Sequence, residues 1–317
     1  MRRYLREISV AFVLAILLLV LYIAQLQQQA PNKGQGFFQS DNLRNQLVKD
    51  APILVAAVGM TLVIIARQID ISIGSQFSVC GIVAGLLASM SLPMPVVIVG
   101  AILTGALMGA VNGGLIAGLG LPSIVVTLAT LVIWRESLRW WREGEFVHNL
   151  PPNFQWFGTG QQTGQWLVVG IALAVLLAFA WAARHLAAGR AVYATGSDAE
   201  AARLAGIRPR RVVFGVFVAM GALTGLAALL NAVRFADVAT NTGEGKELEV
   251  IAAVVVGGTA VSGGRGTLIG SLIGVVLLGT IEPALVFLKT EAHWVKAIQG
   301  LIILLAVASE ALYRRGK

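Results

Sequence analysis

The chain is a succession of long apolar runs separated by short polar stretches, with almost no period-two alternation. Runs long enough to cross a bilayer as a helix need about 17 to 25 residues. Candidates fall at 8–26, 51–66, 71–90, 95–118, 121–138, 166–184, 212–232, 248–261, 267–288 and 294–312. The pattern predicts an all-α polytopic membrane protein of about ten transmembrane helices, organised as a single domain over 1–317. The second and eighth runs are short, so each is expected to be either a broken or re-entrant element or a minimal span.

Composition agrees. Hydrophobic residues make up 57% of the 317 and charged residues 13%, about half the charge a soluble domain carries. A water-soluble fold could not cover that much apolar surface. Soluble enzymes, nucleic-acid binders and disordered chains are thereby excluded, despite a net charge of +8 and a pI near 10.1. The positive-inside rule accounts for the charge instead. With ten spans and an inside N-terminus, 14 of the 24 basic residues fall inside against five acids. That asymmetry predicts both termini in the cytoplasm. Arg2, Arg3 and Arg6 before the first apolar run also suit a signal peptide. The run from Ile8 to Leu26 is long for that, and Gln25–Gln29 offers no small-residue cleavage site, so an uncleaved first helix is expected, followed by an outside loop over 27–50. The single Cys80 excludes an intrachain disulfide, and three scattered histidines do not suggest a metal site.

Nothing in the chain can hydrolyse ATP. Gly243-Glu-Gly-Lys-Glu lacks the spacing and the Ser/Thr of a Walker A loop, and no GxSxG or HExxH pattern occurs. The most informative polar stretch is the loop 185–211. Ser197-Asp198-Ala-Glu200 has the form of a capping box, with Ser197 as N-cap and Glu200 reaching back to it. A helix of about eight residues would run through Ala201, Ala202, Arg203, Leu204 and Ala205, with Gly206 and Ile207 at its end and Pro209 beyond. Too short to be stable alone, and flanked by Arg203, Arg208, Arg210 and Arg211, it fits equally a docking helix and a solvated connector.

Three further stretches carry candidate chemistry. Asp70, Ser72 and Ser75 open the third run, where they suit an N-terminal cap or a polar gate at membrane depth. Asn112 in the fourth run needs a hydrogen-bond partner, a neighbouring helix or a solute; Thr127 and Glu249 complete the candidates for a gate or translocation path. Gly263, Gly264, Arg265 and Gly266 lie in a Gly-rich segment that cannot sustain a helix and predict a tight cytoplasmic turn. Gly105 and Gly109, like Gly270 and Gly274, have the spacing of close helix contacts. Five of the seven tryptophans (Trp134, Trp140, Trp141, Trp156 and Trp166) cluster about the outside segment 134–165, as an interfacial belt or a docking surface would place them.

At several of these segments the chain resembles the membrane permease subunits of bacterial ABC importers for monosaccharides, the ribose, xylose, rhamnose and autoinducer-2 group. The family's Gly-Gly-Ile-Asp-Leu-Ser-Val-Gly-Ser turn stands here as Arg67-Gln-Ile-Asp-Ile-Ser-Ile-Gly-Ser75. Further matches are Val111-Asn-Gly-Gly-Leu-Ile116, Pro122-Ser-Ile-Val-Val-Thr-Leu128, Ala194 to Ile207 and Thr242 to Thr267, and the resemblance runs over about 45–310.

The resemblance implies a subunit with no catalytic activity and no cofactor of its own. A homo- or heterodimer of permeases would line one pathway in the lipid. ABC ATPase subunits using ATP and magnesium would dock inside, and a periplasmic sugar-binding protein would deliver solute; nucleic acid has no part. Residues 197–207 would be the coupling helix seated on the ATPase. Two departures suggest a subgroup, of deoxyhexose or autoinducer-2 type. Arg67 and Gln68 replace two glycines, and Trp134-Arg-Glu136 stands where many relatives have Arg-Gly. Branched-chain amino acids are the alternative substrate class. An ion-coupled carrier is the alternative mechanism, with Glu282 as its expected buried carboxylate.

Overall fold

The computed structural model describes residues 5–27 and 37–287, with positions 297, 300, 301 and 304. Described elements are helices α1 (Leu5–Gln27), α2 (Ser40–Ile65), α3 (Ile73–Ser89), α4 (Met94–Gly113), α5 (Ser123–Arg142), α6 (Gln161–His185), α7 (Ala187–Ser197), α8 (Ala199–Leu204), α9 (Pro209–Ala232), α10 (Lys246–Val256) and α11 (Leu268–Phe287). A π-turn, Gly114–Gly118, prolongs α4. Among the described residues the extended backbone amounts to one isolated bridge between Val147 and Val238. Five helices (α2, α4 with its extension, α6, α9 and α11) are long and apolar enough to cross a membrane. The expected tenth run, 294–312, lies outside the described residues except at the four positions above, as do Arg2, Arg3, Arg314, Arg315, Lys317 and residues 28–36.

The second run is no short or re-entrant element. It is the 26-residue α2, which begins at Ser40 and whose most apolar window is 94% buried. Hydropathy alone truncates it because its first turns are charged, yet those charges are paired. Arg44 meets Asp41 at 2.9 Å, Lys49 meets Glu282 of α11, and Gln46 Nε2 donates to Asp50 at 2.8 Å. This also corrects the expected buried carboxylate: the Glu282 side chain is 51% exposed, whereas Asp50 is 8% exposed. Gln46 Nε2 also donates to the Gly279 carbonyl at 2.7 Å, and a Cβ on Gly279 would lie 2.4 Å from Asp50 Oδ1, so the Asp50 side chain is part of the α2–α11 contact. Helices α6, α7, α9, α10 and α11 all pack on α2, which is the axis of the molecule.

The eighth run is short, as its length implied. With 11 residues α10 spans roughly 16 Å, about half the hydrocarbon thickness. The non-helical stretch 233–245 leads into it alongside α3, with Val238 against Gly81 and Gly85 and Gly243 against Gly74. Gly243 N donates to Ser78 Oγ at 3.0 Å. Irregular backbone of this kind persists at membrane depth only where protein or a cavity surrounds it. Helix α5 continues to Arg142, so Trp134, Trp140 and Trp141 stand on a helix rather than in a loop. Trp140, Trp141 and Trp166 are exposed, as interfacial aromatics are.

The most extensive helix contact is α4 on α9, and glycine makes it possible. A Cβ added to Gly105 would lie 2.1 Å from the Gly221 carbonyl oxygen, and one on Gly221 would lie 2.0 Å from that of Gly105. Gly109 stands 2.2 Å by the same measure from Phe217 O, and Gly225 from Ala101 O. Lipid tails are as apolar as leucine, so helices associate in a membrane through close packing, for which small residues are needed. Gly270 and Gly274 play the same part for α11 on α10, facing Gly257 and Ala253.

The chain leaves α2 through a Schellman motif: Gln68 N bonds Val63 O at 3.0 Å and Arg67 N bonds Ile64 O at 2.9 Å. Its left-handed position, ordinarily glycine, is Arg67 at φ +63°. The departure from the family turn therefore places an L-residue where the backbone favours Gly.

Two outcomes follow for thermal unfolding in detergent. Gly221→Ala should lose about 1–3 kcal/mol through overpacking. Gly215→Ala on the same helix, where an added Cβ meets nothing within 4 Å, should be neutral or gain up to about 1 kcal/mol; equal losses would remove the close-packing account. Arg67→Gly should exceed Arg67→Ala in stability by about 1 kcal/mol, and a more stable Ala variant would contradict the left-handed assignment.

Candidate functional site

The loop 185–211 folds as two helices, the 11-residue α7 and the six-residue α8. The cap of α8 is Asp198, not Ser197: its Oδ1 accepts the backbone NH of Glu200 at 2.9 Å and of Ala201 at 3.0 Å. Ser197 is already the last residue of α7, so Asp198, at φ −156° and ψ 108°, is the first with the extended backbone a cap needs. Glu200 does not reach back to close a capping box; it binds Arg203, with 2.6 Å and 3.2 Å contacts. The helix ends as its residues implied. Gly206 takes φ +84°, Gly206 N bonds Arg203 O and Ile207 N bonds Ala202 O, each at 3.0 Å. Pro209 then starts α9. Ala202 faces inward, whereas Ala199, Ala201, Arg203, Ala205 and Leu204, the last 80% exposed, face out.

The root of this protrusion is locked. A Cβ on Gly196 would lie 1.6 Å from the carbonyl oxygen of Ile65, the last residue of α2. That oxygen accepts the backbone NH of Gly264 at 2.8 Å. Gly264 packs on Ser197, where a Cβ would come within 2.7 Å of its Cα, and Gly263 packs on Arg67 and Gly196. Ala260 N bonds Arg265 O at 2.9 Å, closing the turn, and Tyr193 Oη donates to Gly266 O at 2.9 Å. The Gly-rich turn, the end of α2 and the α7–α8 corner are thus one junction, brought together from three separate parts of the chain.

The polar residues between α2 and α3 form a second unit. Asp70 Oδ1 accepts from the backbone NH of Ser72 at 2.9 Å and from its hydroxyl at 2.5 Å. Gln76 Nε2 donates to Ser72 Oγ at 2.8 Å and to Asp70 Oδ2 at 3.2 Å. Asn112 Nδ2 reaches Ser72 Oγ at 2.8 Å, and Asn112 Oδ1 accepts from Thr130 of α5 at 2.9 Å. All are buried. The network ties the α2–α3 turn to α4 and α5, and Asn112 finds its partner on neighbouring helices. Ser75 bonds the Ser72 carbonyl and Thr127 that of Ser123, both at 2.8 Å. No side chain of the three caps α3 in the ordinary way; Asp70 instead holds the turn that precedes it.

Glu249 stands apart from this network, its side chain 26% exposed and paired with Lys246 at 2.8 Å. Its neighbour Glu247 does lie against α3: the carboxylate abuts Gly74 and meets Arg135 of α5 at 3.4 Å. Sequence reasoning missed Glu247, Arg135, Gln76, Thr130 and Gly196. Only Gln76 had a local signal, lying four residues after Ser72 on one helical face.

A helical membrane protein with paired glycine-packed helices, a half-length helix beside a buried polar network and a short capped helix projecting from one end has the build of a transport subunit. The family comparison agrees: the chain belongs to the branched-chain amino acid transport system / permease component family, whose model matches residues 42–307. It is similar to the autoinducer 2 import system permease protein LsrC of Shigella flexneri and of Escherichia coli K12, 34% identical to each over 83% of this chain and 77% of theirs. With the LsrC protein of Escherichia coli O157:H7 it shares 33% identity over 98% of this chain and 88% of the relative. No solved structure matches it. The chain is accordingly an ABC-type permease, a multi-pass protein of the bacterial cytoplasmic membrane.

If the Asn112–Thr130 bond joins α4 to α5, a double-mutant cycle of Asn112→Leu and Thr130→Val, read by unfolding in detergent, should show a coupling of about 1 kcal/mol. Strict additivity would mean the contact contributes nothing.

Proposed function

We propose that the chain is the permease subunit of an ATP-binding-cassette importer carrying a monosaccharide or sugar-like solute, of rhamnose, pentose or autoinducer-2 type, into the cell. The relatives are named for autoinducer 2 import, and the residues shared with the sugar group support the same substrate class. In this reading ten spans place both ends in the cytoplasm and the α7–α8 end faces inward. That end carries Arg67, Arg184, Arg190, Arg203, Arg208, Arg210, Arg211 and Arg265, in keeping with the positive-inside rule.

The observation that carries the proposal is α8. A six-residue helix is unstable in isolation, yet this one is capped at both ends and rooted by Gly196 against the end of the most buried helix. Its outward face is left to a partner. An ABC ATPase pair seated there, using ATP and magnesium that this chain does not bind, would push on α2 and on the Gly-rich turn at once. Movement of α2 would act on the Asp70–Ser72–Asn112 network, and movement of the turn would act on α10, beside the broken stretch along α3. The solute path would lie at that break, between two permease copies, with a periplasmic binding protein supplying affinity from outside.

Leu204→Glu should abolish co-purification of the ATPase subunit from native membranes while leaving the thermal unfolding of the permease unchanged, since Leu204 is exposed. Gly206→Pro should uncouple solute-stimulated ATP hydrolysis, because proline cannot adopt the positive φ found there. Normal ATPase recovery and coupling in both variants would remove α8 from the mechanism. Solute uptake into liposomes by the permease alone, without ATP, would replace the importer by an ion-coupled carrier.

A further inference from the structure

A groove of about 710 Å³ opens between α6, α7 and the start of α11. Along α6 its lining changes in a fixed order. Leu177 comes first, exposed and apolar; Trp181 follows one turn on, exposed, its ring 5.3 Å from that of His185 and nearly parallel to it; Arg184 closes the series. Leu177 and Arg184 are separated by roughly 10 Å of helix rise. Across the groove stand Arg190 and Tyr193 of α7, and Thr267 with the first residues of α11. Arg190 is placed by a 2.9 Å bond to the His185 carbonyl, and Tyr193 by its bond to Gly266 O. Among the described residues no acidic side chain lines the groove. The start of the 20-residue α11 adds the positive end of its dipole and the backbone NH groups of Leu268 and Ile269, that of Gly270 being bonded to Thr267 Oγ1 at 3.0 Å.

We propose that this groove binds an anionic phospholipid of the inner leaflet, its phosphate held between Arg184 and Arg190 at the start of α11 and an acyl chain lying along Leu177 and Ile269. Charge complementarity calls for an anion, and basic clefts between spanning helices on the cytoplasmic side suit lipid headgroups. A free phosphate would use only the basic end. The apolar-to-aromatic-to-basic order along α6 follows the order of acyl chain, interface and headgroup in a lipid, with Trp181 at the interfacial level. The leaflet assignment rests on the inward placement of α7–α8 proposed above. Because Arg190 and Tyr193 stand on α7, a bound lipid would brace the helix that roots α8.

The test uses the full-length permease, delipidated in detergent, with lipid binding followed by native mass spectrometry. Phosphatidylglycerol should be retained over phosphatidylcholine, and the Arg184→Ala/Arg190→Ala variant should reduce that preference about thirtyfold, the combined attraction of two arginines for an anionic lipid. The Arg184→Lys/Arg190→Lys variant should recover most of it, which separates lost charge from a lost fold. Equal retention of the two lipids, an unchanged preference in the Ala variant, or displacement of phosphatidylglycerol by millimolar inorganic phosphate would overturn the proposal. Binding is read on the permease alone, so failure of ATPase docking would leave this result standing, and failure of lipid selectivity would leave docking standing.

Discussion

Backbone lying directly on backbone at glycine is the constraint on which this structure depends. Water drives apolar helices together in a soluble protein; in lipid that drive is absent, and closeness of packing takes its place. The reciprocal pair Gly105 and Gly221 brings α4 and α9 into contact without intervening side chains. Gly257 and Gly270 do the same for α10 and α11. Gly196 against Ile65 extends the device from holding helices together to joining the projecting α7–α8 corner to the core. A side chain at any of these positions would separate elements that have no other means of meeting as closely.

Close packing leaves little room for polar atoms, and those present are organised rather than scattered. Asp70, Ser72, Gln76, Asn112 and Thr130 bond one another across four elements, while Gln76 Oε1 is buried without a hydrogen-bond partner. In hydrocarbon an unpaired member would be costly, so the network fixes where the α2–α3 turn sits relative to α4 and α5. Beside it the chain abandons helix altogether between α9 and α10, a liberty allowed only to backbone enclosed by protein or lining a cavity.

Two helix ends show how sequence and structure divide the work. Both α2 and α8 close with the same Schellman pattern. At α8 the left-handed residue is Gly206, so the stop was legible from composition alone. At α2 it is Arg67, and neither a glycine nor a proline marked the turn. The N-cap of α8 was misplaced by one residue for a related reason. Ser197 and Asp198 are both good caps, and only the helical conformation of Ser197 at the end of α7 decides between them.

The sequence by itself determined that the chain is helical and lies in a membrane, where most apolar runs fall, and that a capped helix interrupts the loop 185–211. These are local properties, set by run length, charge and the backbone preferences of Gly, Pro and the capping residues. Only the tertiary structure decided that charged Ser40–Asp50 joins the most buried helix, that Asp50 is buried where Glu282 is half-exposed, and that Glu247 rather than Glu249 faces α3. Only it brought Ile65, Gly196 and Gly264 to one point. The physical reason is that each of these depends on a partner far along the chain: a charge is tolerated at depth, and a glycine is required, because of what stands opposite, which no local pattern records.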